Sequence, residues 1–269
     1  MVTFVSTEWV EQRVDSRDVL LLDPRLAVRY MAGHPKNAVN LPVGKAWGPS
    51  GLRSIEELAR WIGTAGLDET KTPVIYDSAD GRNAAMLAWL LLYLGRSDVH
   101  LMEVFWEKWL AEGREVFYRP VAPVARQFTA RLRPELRVTL ADVQRAKGAK
   151  LLDFRSRDEF TGKLDTEGRP GHIPGAVNLV WQELAGANHG LLAPQEKIAE
   201  LLAARGIGRQ DRVVAYCRSG LRASLGFLAL AELGVPVALY DGSYAEWAHS
   251  GLPVESSEPE VKNGEKVHD

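Results

Sequence analysis

The chain has a single cysteine, Cys217, and its neighbours give it chemistry. It follows the apolar run Val213-Val214-Ala215-Tyr216 and precedes Arg218-Ser219-Gly220-Leu221-Arg222. The run reads as a buried strand, and an apolar helix begins near Arg222. In a short turn between a strand end and a helix start, successive backbone N–H groups can converge on one point. The helix start contributes partial positive charge, and Arg218 and Arg222 contribute full charges. Such a field favours a thiolate over a thiol, stabilises an anionic persulfide and binds an oxyanion. The plain alternative is an inert cysteine buried as a small hydrophobe. Two arginines and a glycine in the turn weigh against it.

The elements that must position this turn occur twice. Leu22-Asp23-Pro24-Arg25 matches Leu152-Asp153-Phe154-Arg155, and the run Gly33 to Leu41 matches Gly171 to Leu179. Val74-Ile75-Tyr76 matches Val214-Ala215-Tyr216, and Trp109 matches Trp247. The spacing grows from 130 residues at the first match to 138–140 later, which places an insertion in Thr161–Pro170 of the second copy. Short apolar runs at 19–22, 74–76, 150–152 and 213–216 predict strands of a buried parallel sheet. Helices are predicted at 54–62, with Ser54 and Glu57 as a capping pair, and at 194–203, with Pro194 in the first turn. Thr139 and Asp142 mark another helix start. The apolar runs Ala84–Leu94 and Ala223–Leu233 predict buried helices closed by Gly95 and Gly234. Alternating strands and helices imply an α/β fold, a mainly parallel sheet flanked by helices on both faces in each copy. Arg119–Pro134, with its prolines and arginines, reads as a linker. The polar stretch 256–269 reads as a disordered tail.

Four pieces in order carry a family resemblance: Asp153 and Arg155, the run Gly171-His172-Ile173-Pro174-Gly175-Ala176-Val177-Asn178, the turn Cys217–Arg222, and Asp241-Gly242-Ser243-Tyr244-Ala245-Glu246-Trp247. Over residues 1–255 the chain is similar to tandem rhodanese-type sulfurtransferases. The resemblance implies two rhodanese-like domains, at 1–118 and 135–255, with catalysis in the second. It implies a double displacement: the Cys217 thiolate takes sulfur from a donor such as thiosulfate, and the persulfide passes it to cyanide or a thiol. No metal or organic cofactor is required. In the first copy Asp77 stands where Cys217 stands in the second. A carboxylate cannot carry sulfane sulfur, so that copy is expected to be inactive. Features present in both copies, namely Asp153, Arg155 and His172, are expected to be structural. His172 is read as a turn-holding residue rather than a catalytic base.

The resemblance also sets donor expectations. A basic residue after the cysteine, here Arg218, implies thiosulfate, whereas a loop of small residues implies 3-mercaptopyruvate. Many two-domain relatives carry Arg at the position of Glu159, and its replacement removes a cation expected to meet the donor. Lys163 or Arg169 in the inserted segment is the expected compensation. Two rival readings remain. A phosphatase-type loop sets Arg six positions after its cysteine, but Arg222 comes five after Cys217, one residue short for cradling phosphate. A non-enzymatic persulfide carrier that docks to a partner protein is the other.

Composition bounds the rest. The 269 residues carry a formal net charge of −2, so no global basicity points to nucleic acid or an anionic membrane surface. Met1–Val10 has no basic residue, and the longest apolar run, Ala84–Leu94, falls short of the ~20 residues of a membrane span. One cysteine rules out an internal disulfide and a cysteine-rich zinc site. A lone thiol fits a reducing compartment, so a cytoplasmic location is expected.

Overall fold

The computed structural model describes residues 2–145 and 148–256. Most of the stretch read as a disordered tail, 257–269, lies outside the described residues. Two five-stranded parallel sheets share one strand order. The first runs Thr3–Val5, His100–Met102, Thr72–Ile75, Val19–Asp23, Val39–Asn40. The second runs Arg137–Val138, Val237–Tyr240, Val213–Tyr216, Lys150–Asp153, Val177–Asn178. The internal repeat is therefore a repeat of topology as well as of sequence.

The continuous apolar runs are explained by burial on both faces. Successive side chains in a strand point to opposite sides. Val214 and Tyr216 join one cluster with Trp247 and Tyr244, while Val213, Ala215 and Cys217 face a second cluster that spans both copies. In the first copy Val74 and Tyr76 face one way and Ile75 the other. Cys217 thus leaves its strand pointing towards the other domain.

The helices Arg82–Tyr93 and Leu221–Glu232 pack against each other across the domain boundary. Ala84 to Leu94 are buried without a break, as a helix apolar on all sides must be. The Trp89 indole donates to the Leu136 carbonyl at 3.0 Å, and Arg82 lies 4.6 Å from the Trp181 ring. The capping box at Ser54 and Glu57 forms, opening the helix Ile55–Thr64. Pro194 precedes its helix, Gln195–Ala203, by one residue instead of sitting in the first turn. Among the described residues no helix is long and apolar enough to cross a membrane.

The segment read as a linker is docked. Between 121 and 133 it has no regular structure, yet Arg126, Arg131 and Arg133 donate their N–H groups to Gly63, Leu94 and Tyr93 carbonyls of the first copy. Two glycines permit this close approach: a Cβ at Gly63 would collide with the Arg126 carbonyl, and one at Gly95 with that of Arg131. Gly95 also has φ +100°, a conformation that L side chains rarely adopt. Gly95→Ala is expected to cost about 2–4 kcal/mol from strain and overpacking. For a chain of this size that lowers Tm by roughly 5–15 °C, measurable by calorimetry. An unchanged Tm would mean that the strap does not hold in solution.

Candidate active site

Cys217 is 1% exposed, and its turn is pinned from behind. Its N–H donates to the Ser243 hydroxyl at 3.2 Å, and that hydroxyl donates to the Tyr240 carbonyl at 2.7 Å. The carbonyls of Cys217 and Arg218 accept from the N–H groups of Tyr244 and Ala245, both at 2.9 Å. The first turn of helix Ser243–His249 therefore fixes the backbone on which the sulfur stands. Ser243 has φ +56°, an uncommon conformation for a serine, and its two hydrogen bonds help to hold it there. Gly220, at φ +85°, closes the turn, where a Cβ would meet the Met86 methyl at 3.1 Å and the Asp241 carbonyl at 3.2 Å. Met86 belongs to the first copy, so the other domain touches the turn directly.

The charges around the cysteine differ from the sequence expectation. Arg222 stands beside Cys217, but Glu159 grips its guanidinium at both ends, at 2.6 and 2.8 Å. Glu159 is itself fixed by the Ser156 N–H and hydroxyl at 3.1 and 2.9 Å. Burial pushes its carboxyl up, but the hydrogen bond and charge of Arg222 outweigh this and hold it at about 2. Burial works to lower the Arg222 guanidinium, and the Glu159 hydrogen bond together with Cys217 keeps it above its ordinary value. Arg218 is half-exposed and pairs with Glu167, which lies in the inserted segment. Lys163 is exposed and faces Asp158 at 3.7 Å. Arg169 donates to the Ala248 carbonyl at 3.2 Å. The insertion thus brings a carboxylate to the turn, where the sequence suggested a cation.

Asp153 and Arg155 form a buried, doubly bonded pair, with the guanidinium also on the Gly171 carbonyl at 2.7 Å and 3.8 Å above the Tyr244 ring. Asp23 and Arg25 make the same pair and reach the Gly33 carbonyl in the first copy. His172 bonds the Phe160 carbonyl at 2.8 Å and stacks on that ring at 3.7 Å. Its counterpart His34 stacks on Tyr30 at 4.0 Å. These constellations recur in both copies.

Ser219 is exposed and lines a cleft of about 560 Å³ with Gly242 and His249. The opposite wall comes from the first copy: Trp47, Pro49, Ser50 and Gly51, around a small antiparallel hairpin. Leu221 is half-buried against the shared core. The cleft residues of the hairpin, Met86 and Glu167 were not singled out in the sequence, and Ser243 entered only as part of the run Asp241–Trp247; the tertiary fold brings each to the turn or its cleft.

The equivalent turn of the first copy is closed. Asp77 folds its carboxylate into its own backbone, accepting from the N–H groups of Ser78, Asn83 and Ala84 at 2.8, 2.9 and 3.0 Å. Burial raises its pKa to about 6 against the pull of those donors. The segment His189–Leu191 of the second copy crosses over it, with Leu191 donating to the Glu103 carbonyl and Phe105 donating to that of His189, both at 2.8 Å. Leu191 and Phe105 fill the space above Gly81.

Comparison with known proteins agrees with this architecture. The rhodanese-like domain matches twice, at residues 6–112 and 138–250. The 3-mercaptopyruvate sulfurtransferase of Escherichia coli is 29% identical over 94% of this chain and 97% of its own. A sulfur carrier protein of Thermus thermophilus is 31% identical over 94% and 96%. A protein of Synechococcus elongatus, provisionally named a thiosulfate sulfurtransferase, is 29% identical over 97% and 87%. The crystal structure of the Escherichia coli enzyme superposes with a TM-score of 0.82 at 27% identity, over 91% of this chain and 99% of that one. With the rhodanese-like domain matched twice over most of its length, the chain belongs to the rhodanese-like family.

Proposed function

We propose that this chain is a sulfurtransferase that moves sulfane sulfur from thiosulfate to cyanide or a thiol through a persulfide on Cys217. The observation that carries the reading is the placing of the sole cysteine: at the end of a central strand, on a turn fixed by helix amides, beside Arg222. The thiolate attacks the outer sulfur of thiosulfate. The S–S bond of the donor breaks, and its electron pair leaves on sulfite. The acceptor then attacks the outer sulfur of the persulfide, and the pair of that bond returns to Cys217 as thiolate. The cycle closes on the cysteine and needs no cofactor. Asp77, which occupies its own turn, makes the first copy a supporting domain that supplies Met86 and the Trp47 hairpin to the second.

A second donor, 3-mercaptopyruvate, is favoured by one observation: both arginines of the turn are already paired with carboxylates, which suits a donor of lower charge. The test is the intact mass of the protein before and after each donor. Gain of one sulfur, reversed by cyanide with thiocyanate formed, supports the reading. No gain with either donor overturns it and leaves a binding module of the same fold.

A further inference from the structure

We propose that Glu159, assisted by Glu167, is a donor-selectivity residue that holds the Cys217 pocket near electroneutrality and so weakens binding of doubly charged donors. The inference rests on the sulfur-transfer reading above and concerns which donor that site prefers. Glu159 is 6% exposed and engages both terminal nitrogens of Arg222. Glu167 is 7% exposed and takes Arg218, the other cation of the turn. Neither carboxylate is adjacent to its arginine in the chain: 63 and 51 residues separate them. Helix Arg157–Thr161 and the insertion after it deliver two negative charges to a turn that has two positive ones.

Neutralisation of this kind acts on donors in proportion to their charge. Thiosulfate is a dianion, whereas 3-mercaptopyruvate presents one carboxylate. A change in local potential therefore alters the free energy of the first about twice as much as that of the second. The fold-change for thiosulfate is then roughly the square of that for mercaptopyruvate. A purely structural role for Glu159 would move both donors by the same factor.

The experiment measures the donor dependence of Cys217 loading, by single-turnover persulfide formation, in the wild type, Glu159→Gln, Glu159→Asp and Glu167→Gln. Glu159→Gln keeps an oxygen for Arg222 and removes the charge. It is expected to lower the KM for thiosulfate about tenfold and that for mercaptopyruvate about threefold, with kcat for loading little changed. Glu159→Asp keeps the charge and should retain the wild-type ratio of the two donors. Glu167→Gln, outside any helix, shifts the ratio in the same direction by a smaller factor. It carries the test alone if Glu159→Gln does not fold. Equal changes for both donors, or a Glu159→Asp ratio that follows Glu159→Gln, would overturn the assignment. Absence of loading in the wild type is a different failure, that of the sulfur-transfer reading itself.

Discussion

Cys217→Ser takes up no sulfur from thiosulfate, and its turnover falls at least about a thousandfold. A hydroxyl has no route to a persulfide, and the chain holds no second thiol. The fold should be untouched, because the contacts that pin position 217 to Ser243 and Tyr244 run through its backbone. Unchanged thermal unfolding beside lost activity is the expected pair of results. The double variant Asp77→Cys with Cys217→Ser should stay inactive. The first copy's turn lies under Leu191 and Phe105, where a thiol would have little access to a donor. Recovery of thiosulfate-dependent loading in that double variant would show that Asp77 alone silences the first copy. Residual turnover in the single serine variant would move the chemistry away from Cys217 altogether.

Arg155→Met is expected to remove about 3–5 kcal/mol of stability, because it strands Asp153 as an unpaired charge in the core. Asp153 is 0% and Arg155 1% exposed. Burial already pushes the Asp153 carboxyl up against the pull of Arg155, so its ionised form depends on that partner. A domain with a net stability of ~5–15 kcal/mol does not tolerate such a loss easily. Activity should disappear together with the folded baseline. Replacing both residues, Asp153→Leu with Arg155→Met, removes the stranded charge and should recover much of the stability. Chemical denaturation of the three proteins decides the matter. A folded but inactive Arg155→Met would contradict the scaffold reading and place Arg155 in the chemistry.

The sequence made some of this legible and hid the rest for identifiable reasons. Strands 74–76 and 213–216 could be read because burial on both faces leaves an unbroken apolar run. The helix that starts at Arg82 was recognisable from Ala84 because its partner covers it on the remaining side. The turn at Cys217 was legible because strand end, glycine and helix start are neighbours in the chain. Pairing over distance was not. Glu159 was identified as a departure from the family's arginine, but its grip on Arg222 depends on two elements 63 residues apart. Likewise Arg218 looked like a free cation until the insertion placed Glu167 against it. Ser243 stood in the run Asp241–Trp247, but its bond to the Cys217 N–H was not legible there, since a serine at φ +56° is not a conformation its residue type suggests. The hairpin around Trp47 is two strands of two residues, too short for any period to show.

The docked strap between the two copies bears on the order in which the protein is made. The segment Arg126–Arg133 that lies on Gly63 and Leu94 is present once residue 133 has left the ribosome. The partner of helix Arg82–Tyr93 is not, because Leu221–Glu232 lies almost a hundred residues further on. At ~5–20 residues per second that interval is on the order of 5–20 s. For that time a nascent chain presents Met86 and Leu92 without the helix that covers them. The first copy is thus the one left without its cover during synthesis, and the second copy supplies it.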